Sequence, residues 1–456
     1  MEISNYRIVM PKNPGHTERR AACFLQQQIR LVRGVQIPIV TDETSPKDYE
    51  FVVGRTTREN CDNITFNRQL DTPWEYVVKT VGTRVYLTGL GALDTEEKPY
   101  TSAYNLMYDN ANATAYAVYN YVENVLKYNL SYVDWDGFPT VDSLDVPEYN
   151  YEFTREMLRN QQVELYDGAA FYSLASTEII NWSINSFILK TKSGKLVVMD
   201  GGRAVDAEKL LETLERISGG KKPVVEAWFL SHLHTDHFAA LLEIIRKPEL
   251  RERVTIKNFY YNLLVEKYFN TFPPPKNDTW ANIRKEFIES DKLTGANNIV
   301  VNTGDKIVVD EFTFDIIHAP YYKDMYDMNM NDSTVVIRLD YNNGEQSIMF
   351  LGDAEYVCSN DMTENFPEKL KSDIVQVGHH GCGNVSKKCY ATIGADVYLW
   401  PTCQRNWYGD NSEGPHTHNI GVLRTRTYMK EIGVKNENIY RNTHGMLSFK
   451  LPIEIK

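Results

Sequence analysis

Cysteine is scarce in this chain: 456 residues hold six, and no two form a Cys-x-x-Cys pair. Free thiols are therefore expected, with Cys382 and Cys389 the two near enough in sequence to meet. Positive charge is also short. Lys and Arg number 49 against 61 Asp and Glu, a formal net charge of -12. A nucleic-acid backbone calls for a basic face, so no stable nucleic-acid partner is expected. Metal-assisted phosphate chemistry stays open, because an ion can carry the phosphate contact. No apolar run approaches the roughly 20 residues of a membrane span. Met1-Glu-Ile-Ser-Asn-Tyr lacks the basic start and apolar core of a secretion signal. That favours a cytoplasmic protein, or a secreted one if a leader has been trimmed. What remains is the composition of a globular protein, 42% hydrophobic and 24% charged, long enough for two or three domains. The 29 tyrosines and seven tryptophans suit sugar stacking, although core and interface packing is the commoner use.

Histidine is thin over the first half, where His16 stands alone and reads as a surface residue at a helix start. Nine of the ten histidines lie after residue 230, a skew that random surface usage does not produce. They begin in Leu230-Ser231-His232-Leu233-His234-Thr235-Asp236-His237-Phe238. The apolar run 224–230 leads in, and 238–245 leads out at helical spacing, which predicts strand, tight loop and helix. Imidazole and carboxylate are the usual nitrogen and oxygen ligands of zinc-like ions. His232 and His234, two apart, point the same way from an extended segment. Asp236 and His237 fall where the chain enters the helix and face a second point nearby. The pattern suits two metal ions with a bridging water. A polar loop with accidental histidines is the bland alternative, and ligands at this density rarely gather without a metal.

Further polar groups sit at the ends of apolar strands. His318 ends a strand beginning near Phe312; Asn331-Asp332-Ser333 opens the strand 335–339; Asp353 follows 347–351; Gly378-His379-His380-Gly381 follows 374–377. Strand ends converging on one rim make a site from distant sequence. Asp353 is expected to bridge the ions and His379 to complete the second. Asp236 is expected to orient the nucleophile as well as hold a metal, and His380, His416 or His418 to protonate the leaving group. His444 reads as a turn residue.

His-x-His-x-Asp-His after an apolar strand, preceded by the strand 195–199 ending in Asp200-Gly201-Gly202, resembles the signature of the metallo-β-lactamase fold superfamily. The resemblance covers roughly the last two thirds of the chain. It implies a four-layer αββα sandwich, two divalent ions at His232, His234, Asp236, His237, Asp353 and His379 (most often zinc, with manganese or iron open), and hydrolysis by an ion-activated hydroxide. Asn331-Asp-Ser, Leu351-Gly-Asp353 and Gly378-His379-His380-Gly look most like the branch containing the nuclease-like domain of the DNA-uptake channel ComEC and its soluble relatives. One departure stands out. The Pro-Gly-His context of many superfamily members is missing, and His318 is the only histidine in that interval, so the first ion lacks one protein ligand or takes His318.

The first 135 residues read as a small α/β domain. Strands are expected at 6–10, 35–40 and 49–53, a hairpin at 76–78 and 84–90 around Gly82, and helices at 14–32 and 114–130. Gly34-Val-Gln-Ile-Pro-Ile-Val-Thr, Phe51-Val-Val-Gly-Arg-Thr and Ala117-Val-Tyr-Asn-Tyr-Val-Glu are similar to the non-catalytic N-terminal domain of some glycoside hydrolases. Residues 136–160 read as linker and 161–456 as the hydrolase domain, with strands at 162–176, 185–199 and 254–261 and an insertion over 268–293 that either walls the pocket or decorates the surface. The expected function is a metal-dependent hydrolase with a phosphodiester favoured, acting on a small-molecule or carbohydrate-linked substrate. A lactone, ester or amide hydrolase of the same fold, and a glycan-binding protein on an inactive hydrolase scaffold, are the alternatives. The intact ligand set speaks against the last.

Overall fold

The computed structural model describes residues 1–66, 74–90, 111–127, 145–178, 182–263, 278–320, 330–383, 385–408 and 417–455. The chain divides into two units, one from Met1 to Met157 and the other from Leu158 onward.

In the first unit, β-branched and aromatic runs form a six-stranded sheet in the order Ile39–Thr41, Arg7–Met10, Glu50–Val53, Arg84–Gly89, Tyr76–Val81, Asn150–Phe153. The first four strands are parallel and the last two antiparallel. Helix His16–Arg33 stops at Gly34, whose left-handed backbone (φ 67°) ends it, and it packs on helix Ala111–Asn124 through Phe24 against Tyr119. The expected hairpin forms around Gly82, while the strand expected at 35–40 shrinks to Ile39–Thr41. The stretch read as linker departs most. Its proline and acidic content hides Asn150–Phe153, which pairs with Tyr76–Lys79 and stacks Phe153 on Tyr76 at 5.4 Å.

Glu50, with no exposed surface, anchors this unit. Its carboxylate receives Arg58 Nε at 2.8 Å, Arg7 Nε at 2.9 Å and Arg84 Nε at 3.0 Å. Burial pushes its pKa up, but Arg58 and Arg7 outweigh burial and hold it below the usual range. Removing one partner of such a buried cluster costs about 3–5 kcal/mol, because the guanidinium groups are left facing one another. Glu50→Ala is therefore expected to introduce an early unfolding transition in calorimetry of the whole chain. A depressed carboxylate contributes fully above its unfolded pKa and loses that contribution as pH falls through its folded one. The gap between wild type and Glu50→Ala should accordingly close in acid.

The second unit is built on two sheets. One runs Asn297–Val300, Asn258–Tyr261, Val224–Leu230, Leu196–Asp200, Ser186–Lys190, Ala170–Ser173, Leu447–Lys450, with Thr255–Ile256 also pairing on Val224–Leu230. The other runs Lys306–Val309, Phe312–His318, Val336–Tyr341, Gln346–Phe350, Ile374–Gln376, Val397–Trp400, Ile439–Arg441. Alternation along each strand decides the layers. Ala227 and Phe229 join an inter-sheet core with Phe187, Phe314 and Phe350, whereas Trp228 and Leu230 meet helices Ala207–Ile217 and Thr235–Arg246 on the other face. Helices Tyr356–Asn365 and Lys387–Ile393 bury Cys358, Met362, Cys389 and Tyr390 beside the second sheet. The result is the four-layer αββα sandwich of the metallo-β-lactamase fold.

Three strand expectations change. The run 185–199 is two antiparallel strands, because Gly194 (φ 91°) turns the chain between them. Only Ala170–Ser173 of 162–176 is strand, and 254–261 breaks into two short strands. Of the insertion, residues 268–277 lie outside the described residues. Its helix Trp280–Ile288 packs Trp280 and Phe287 against Phe238. All six cysteines are free.

Candidate metal centre

The loop after Val224–Leu230 is held by the neighbouring strand. Asp200 ends that strand with a left-handed backbone (φ 58°). Its carboxylate accepts the Ser231 backbone N–H and the Ser231 hydroxyl, each at 2.8 Å, and the Asp200 carbonyl accepts Trp228 Nε1 at 2.7 Å. His232 and His234 leave this loop, and His234 is the N-cap of helix Thr235–Arg246, whose first turn carries Asp236 and His237. Asp353 follows Gly352, where a Cβ would fall 2.1 Å from Thr334 Oγ1, so glycine is what lets this turn close.

Two ligand groups result: His232, His234 and Asp353, and Asp236, His237 and His380, with one ligand atom of each residue lying within 4.8 Å of the others in its group. Asp353 ties them together. Its Oδ2 lies 3.2 Å from His237 Nε2, 3.9 Å from His232 Nε2, 3.8 Å from His380 Nε2 and 4.0 Å from His379 Nε2. Asn185, fully buried, donates to Asp353 Oδ1 at 3.2 Å and aims the other oxygen at the imidazoles.

The proton positions decide what this cluster fits. His237 Nδ1 lies 2.8 Å from Asp200 Oδ2, and His380 Nδ1 lies 2.8 Å from the Pro401 carbonyl. Both partners only accept, so Nδ1 carries a proton and Nε2 is the atom turned into the cluster. The Nε2 atoms face carboxylate oxygens, His237 towards Asp353 at 3.2 Å and His380 towards Asp236 Oδ2 at 3.4 Å. A metal ion, or a second proton on the ring, satisfies such a pair. Ligand atoms of a tetrahedral ion with bonds of about 2.1 Å stand roughly 3.4 Å apart, which matches.

The charges agree. Burial, then His237 and His234, pushes the His232 pKa well down and keeps that ring neutral. Burial alone would raise Asp353, but His237, His380 and His379 outweigh it and hold the carboxylate ionised. Asp236 is likewise held down against burial by His380 and Arg203. Burial lowers His237, yet Asp353 and Asp200 drive it well up, so an ion bound there would have to displace a proton from its Nε2. Since loss of such an outer partner typically costs about 10–100-fold in metal affinity, Asp200→Asn should weaken binding by that factor in a competitive chelator titration.

The structure gathers His380, rather than the expected His379, with Asp236 and His237. His379 and His380 both have left-handed backbones (φ 48° and 52°), which sends His380 to Asp236 and turns His379 Nδ1 to Glu355 Oε1 at 2.9 Å. Asn331 donates to the same Glu355 oxygen at 2.8 Å. His318 is not gathered with either group: it is buried, with Nδ1 3.1 Å from the Thr334 carbonyl. His416 lies outside the described residues. His418 falls in helix Thr417–Glu431, and its side chain lies outside them too. His444 sits in a short turn beside its neighbour Thr443. Asn185, Arg203 and Glu355 carried no signal in the sequence, whereas Asp200 and Asn331 lay inside motifs whose polar contacts were unread.

The family model for the Metallo-beta-lactamase superfamily matches residues 180–312. No curated protein matches the chain. Among solved structures it is similar to the metallo-beta-lactamase fold protein YhfI from Bacillus subtilis, at 12% identity and TM-score 0.37 over 62% of this chain and 99% of that one. It is also similar to CmlA, a diiron beta-hydroxylase from Streptomyces venezuelae, at 11% identity and TM-score 0.38 over 63% of this chain and 55% of that one. Unliganded yeast PDE1 aligns at 12% identity and TM-score 0.35 over 62% of this chain and all of that one (100%). The family match spans the Asp200 strand and the whole His-x-His-x-Asp-His turn, so residues 180–312 are similar to the metallo-beta-lactamase superfamily domain.

Proposed function

We propose that this chain is a metal-dependent hydrolase of phosphodiesters, working with two divalent ions, zinc before manganese or iron. The observation that carries the reading is the convergence of imidazole and carboxylate atoms into two groups of three, the atoms of each within 4.8 Å of one another. His232, His234 and Asp353 would hold one ion, and Asp236, His237 and His380 the other, with Asp353 shared. An ion held by these residues would lower the pKa of its water to about 7 and so make a nucleophile available at neutral pH.

The chain's own groups do the rest. Asp236 anchors its ion while Arg203 Nη2, 3.2 Å from Asp236 Oδ2, offers positive charge beside it. His379 is the proton donor in this reading, in place of His380, which falls in the group of candidate ligands with Asp236 and His237. Burial lowers its pKa, but Asp353 and Glu355 outweigh burial and raise it, so the ring holds a proton to deliver to the leaving oxygen. The phosphodiester preference draws on the ComEC-like pattern of Asn331, Asp353 and Gly378-His379-His380-Gly381. The acidic net charge and the first unit's likeness to a glycoside-hydrolase accessory domain support a small or carbohydrate-linked diester over long DNA.

Turnover of bis(p-nitrophenyl) phosphate by metal-supplemented protein, abolished by chelation, is the test. Faster turnover of lactone or ester probes would replace the diester with an acyl substrate. No turnover of either class, with glycan binding retained after chelation, would sink the hydrolase reading in favour of a binding protein.

A further inference from the structure

A cavity of about 280 Å³ opens beside the metal centre, and nothing in the chemistry above uses it. Its walls are Arg203, Val205, Thr235, Phe238, Ala239 and Leu242, with Arg246 and Glu243, the latter paired with Lys247 at 2.6 Å, also lining it. Arg246 is spent on Asp278 and Glu286, each at 2.6 Å. Arg203 is placed differently. Its guanidinium lies 4.4 Å over the Trp182 ring, its Nη2 reaches Asp236 Oδ2 and its Nη1 lies 3.4 Å from Thr235 Oγ1. Its Nε is buried and makes no hydrogen bond among the described residues. One guanidinium therefore borders both the carboxylate of a metal ligand and an apolar pocket.

We infer that this cavity is a substrate subsite, in which Arg203 binds an anionic phosphoryl oxygen and Val205, Phe238, Ala239 and Leu242 receive an aromatic or branched aliphatic group attached to it. The inference rests on the hydrolase reading for its place in catalysis, but not for binding. Three observations carry it. Asp236 Oδ2 faces His380 Nε2 as well as Arg203, so an ion drawing on that oxygen leaves the guanidinium's charge for a substrate anion. Trp182 covers one face of the guanidinium and fixes its plane, which suits a planar fork binding an oxyanion. The volume lies just under the roughly 300–1,000 Å³ of pockets that enclose whole ligands, as fits one substituent of a larger molecule.

The test is calorimetric binding of two non-hydrolysable anions, phenylphosphonate and methylphosphonate, to the metal-loaded whole chain. Phenylphosphonate should bind about 10–100-fold tighter, the worth of burying one aromatic ring. Ala239→Phe fills the cavity and should erase that preference while methylphosphonate binding is kept. Val205→Glu alters a side chain 45% exposed, which the fold tolerates, and should erase it too. Arg203→Ala should weaken both anions about tenfold, the size of one charge-assisted contact. No aryl preference in wild type, a preference surviving both cavity variants, or equal affinities in Arg203→Ala would each overturn the inference. Because neither probe is turned over, aryl preference in a protein that hydrolyses no ester would keep the subsite and reject the hydrolase.

Discussion

Asp353→Ala should lower the bound metal from two ions per chain to at most one and reduce diesterase activity by at least a thousandfold. The expectation follows from position. Asp353 Oδ2 lies within 4.0 Å of four imidazole nitrogens, and Asp353 itself is 1% exposed, so no neighbouring water can replace its charge at low cost. Asn185 holds its other oxygen, which leaves one orientation available. Loss of an outer partner alone costs about 10–100-fold, and loss of a carboxylate that would itself hold an ion should cost more. Asp353→Asn is the sharper variant, because it keeps the volume and removes only the charge. Elemental analysis of protein purified without chelator reads the first quantity and turnover with saturating metal reads the second. Two ions retained in both variants would remove Asp353 from the centre.

The sequence made part of this centre legible because His232, His234, Asp236 and His237 are local. Their spacing against an apolar strand and helix fixes which way each side chain points, so four candidate ligands can be read without knowing the fold. Asp353 and the histidine pair were legible for a weaker reason, since each follows an apolar run that can only be a buried strand. The residues that orient them were not legible. Asn185 reaches Asp353 across 168 positions, and Arg203 reaches Asp236 across 33. An isolated polar side chain carries no periodicity, so its partner appears only when the sheets are assembled. The same limit explains the strands: 185–199 looks like one apolar run until Gly194 turns it, and Asn150–Phe153 is masked by proline and acidic neighbours. His318 shows the converse, a histidine whose place in the sequence invites a metal role but whose Nδ1 points to the Thr334 carbonyl.

The order within His379-His380 was undecidable from sequence for a physical reason, and it leads to the second large effect. Adjacent side chains in an extended segment point to opposite faces, but both residues here are left-handed, and only the backbone angles tell which one enters the cluster. His380→Ala should release the ion shared with Asp236 and His237 and cost at least about a thousandfold in activity, more than any outer partner. His379→Ala should keep both ions. Its loss should fall on kcat by about a hundredfold, within the range of general acid catalysis. That loss should depend on the leaving group. A p-nitrophenolate departs without a proton, so its hydrolysis should slow little, whereas an alkyl diester should lose the full factor. Glu355→Gln, which removes the carboxylate charge beside His379 Nδ1 at 2.9 Å, should copy His379→Ala in this leaving-group pattern while leaving the metal content alone. If His379→Ala instead loses an ion and His380→Ala keeps both, the two roles are the reverse of those argued from the turn.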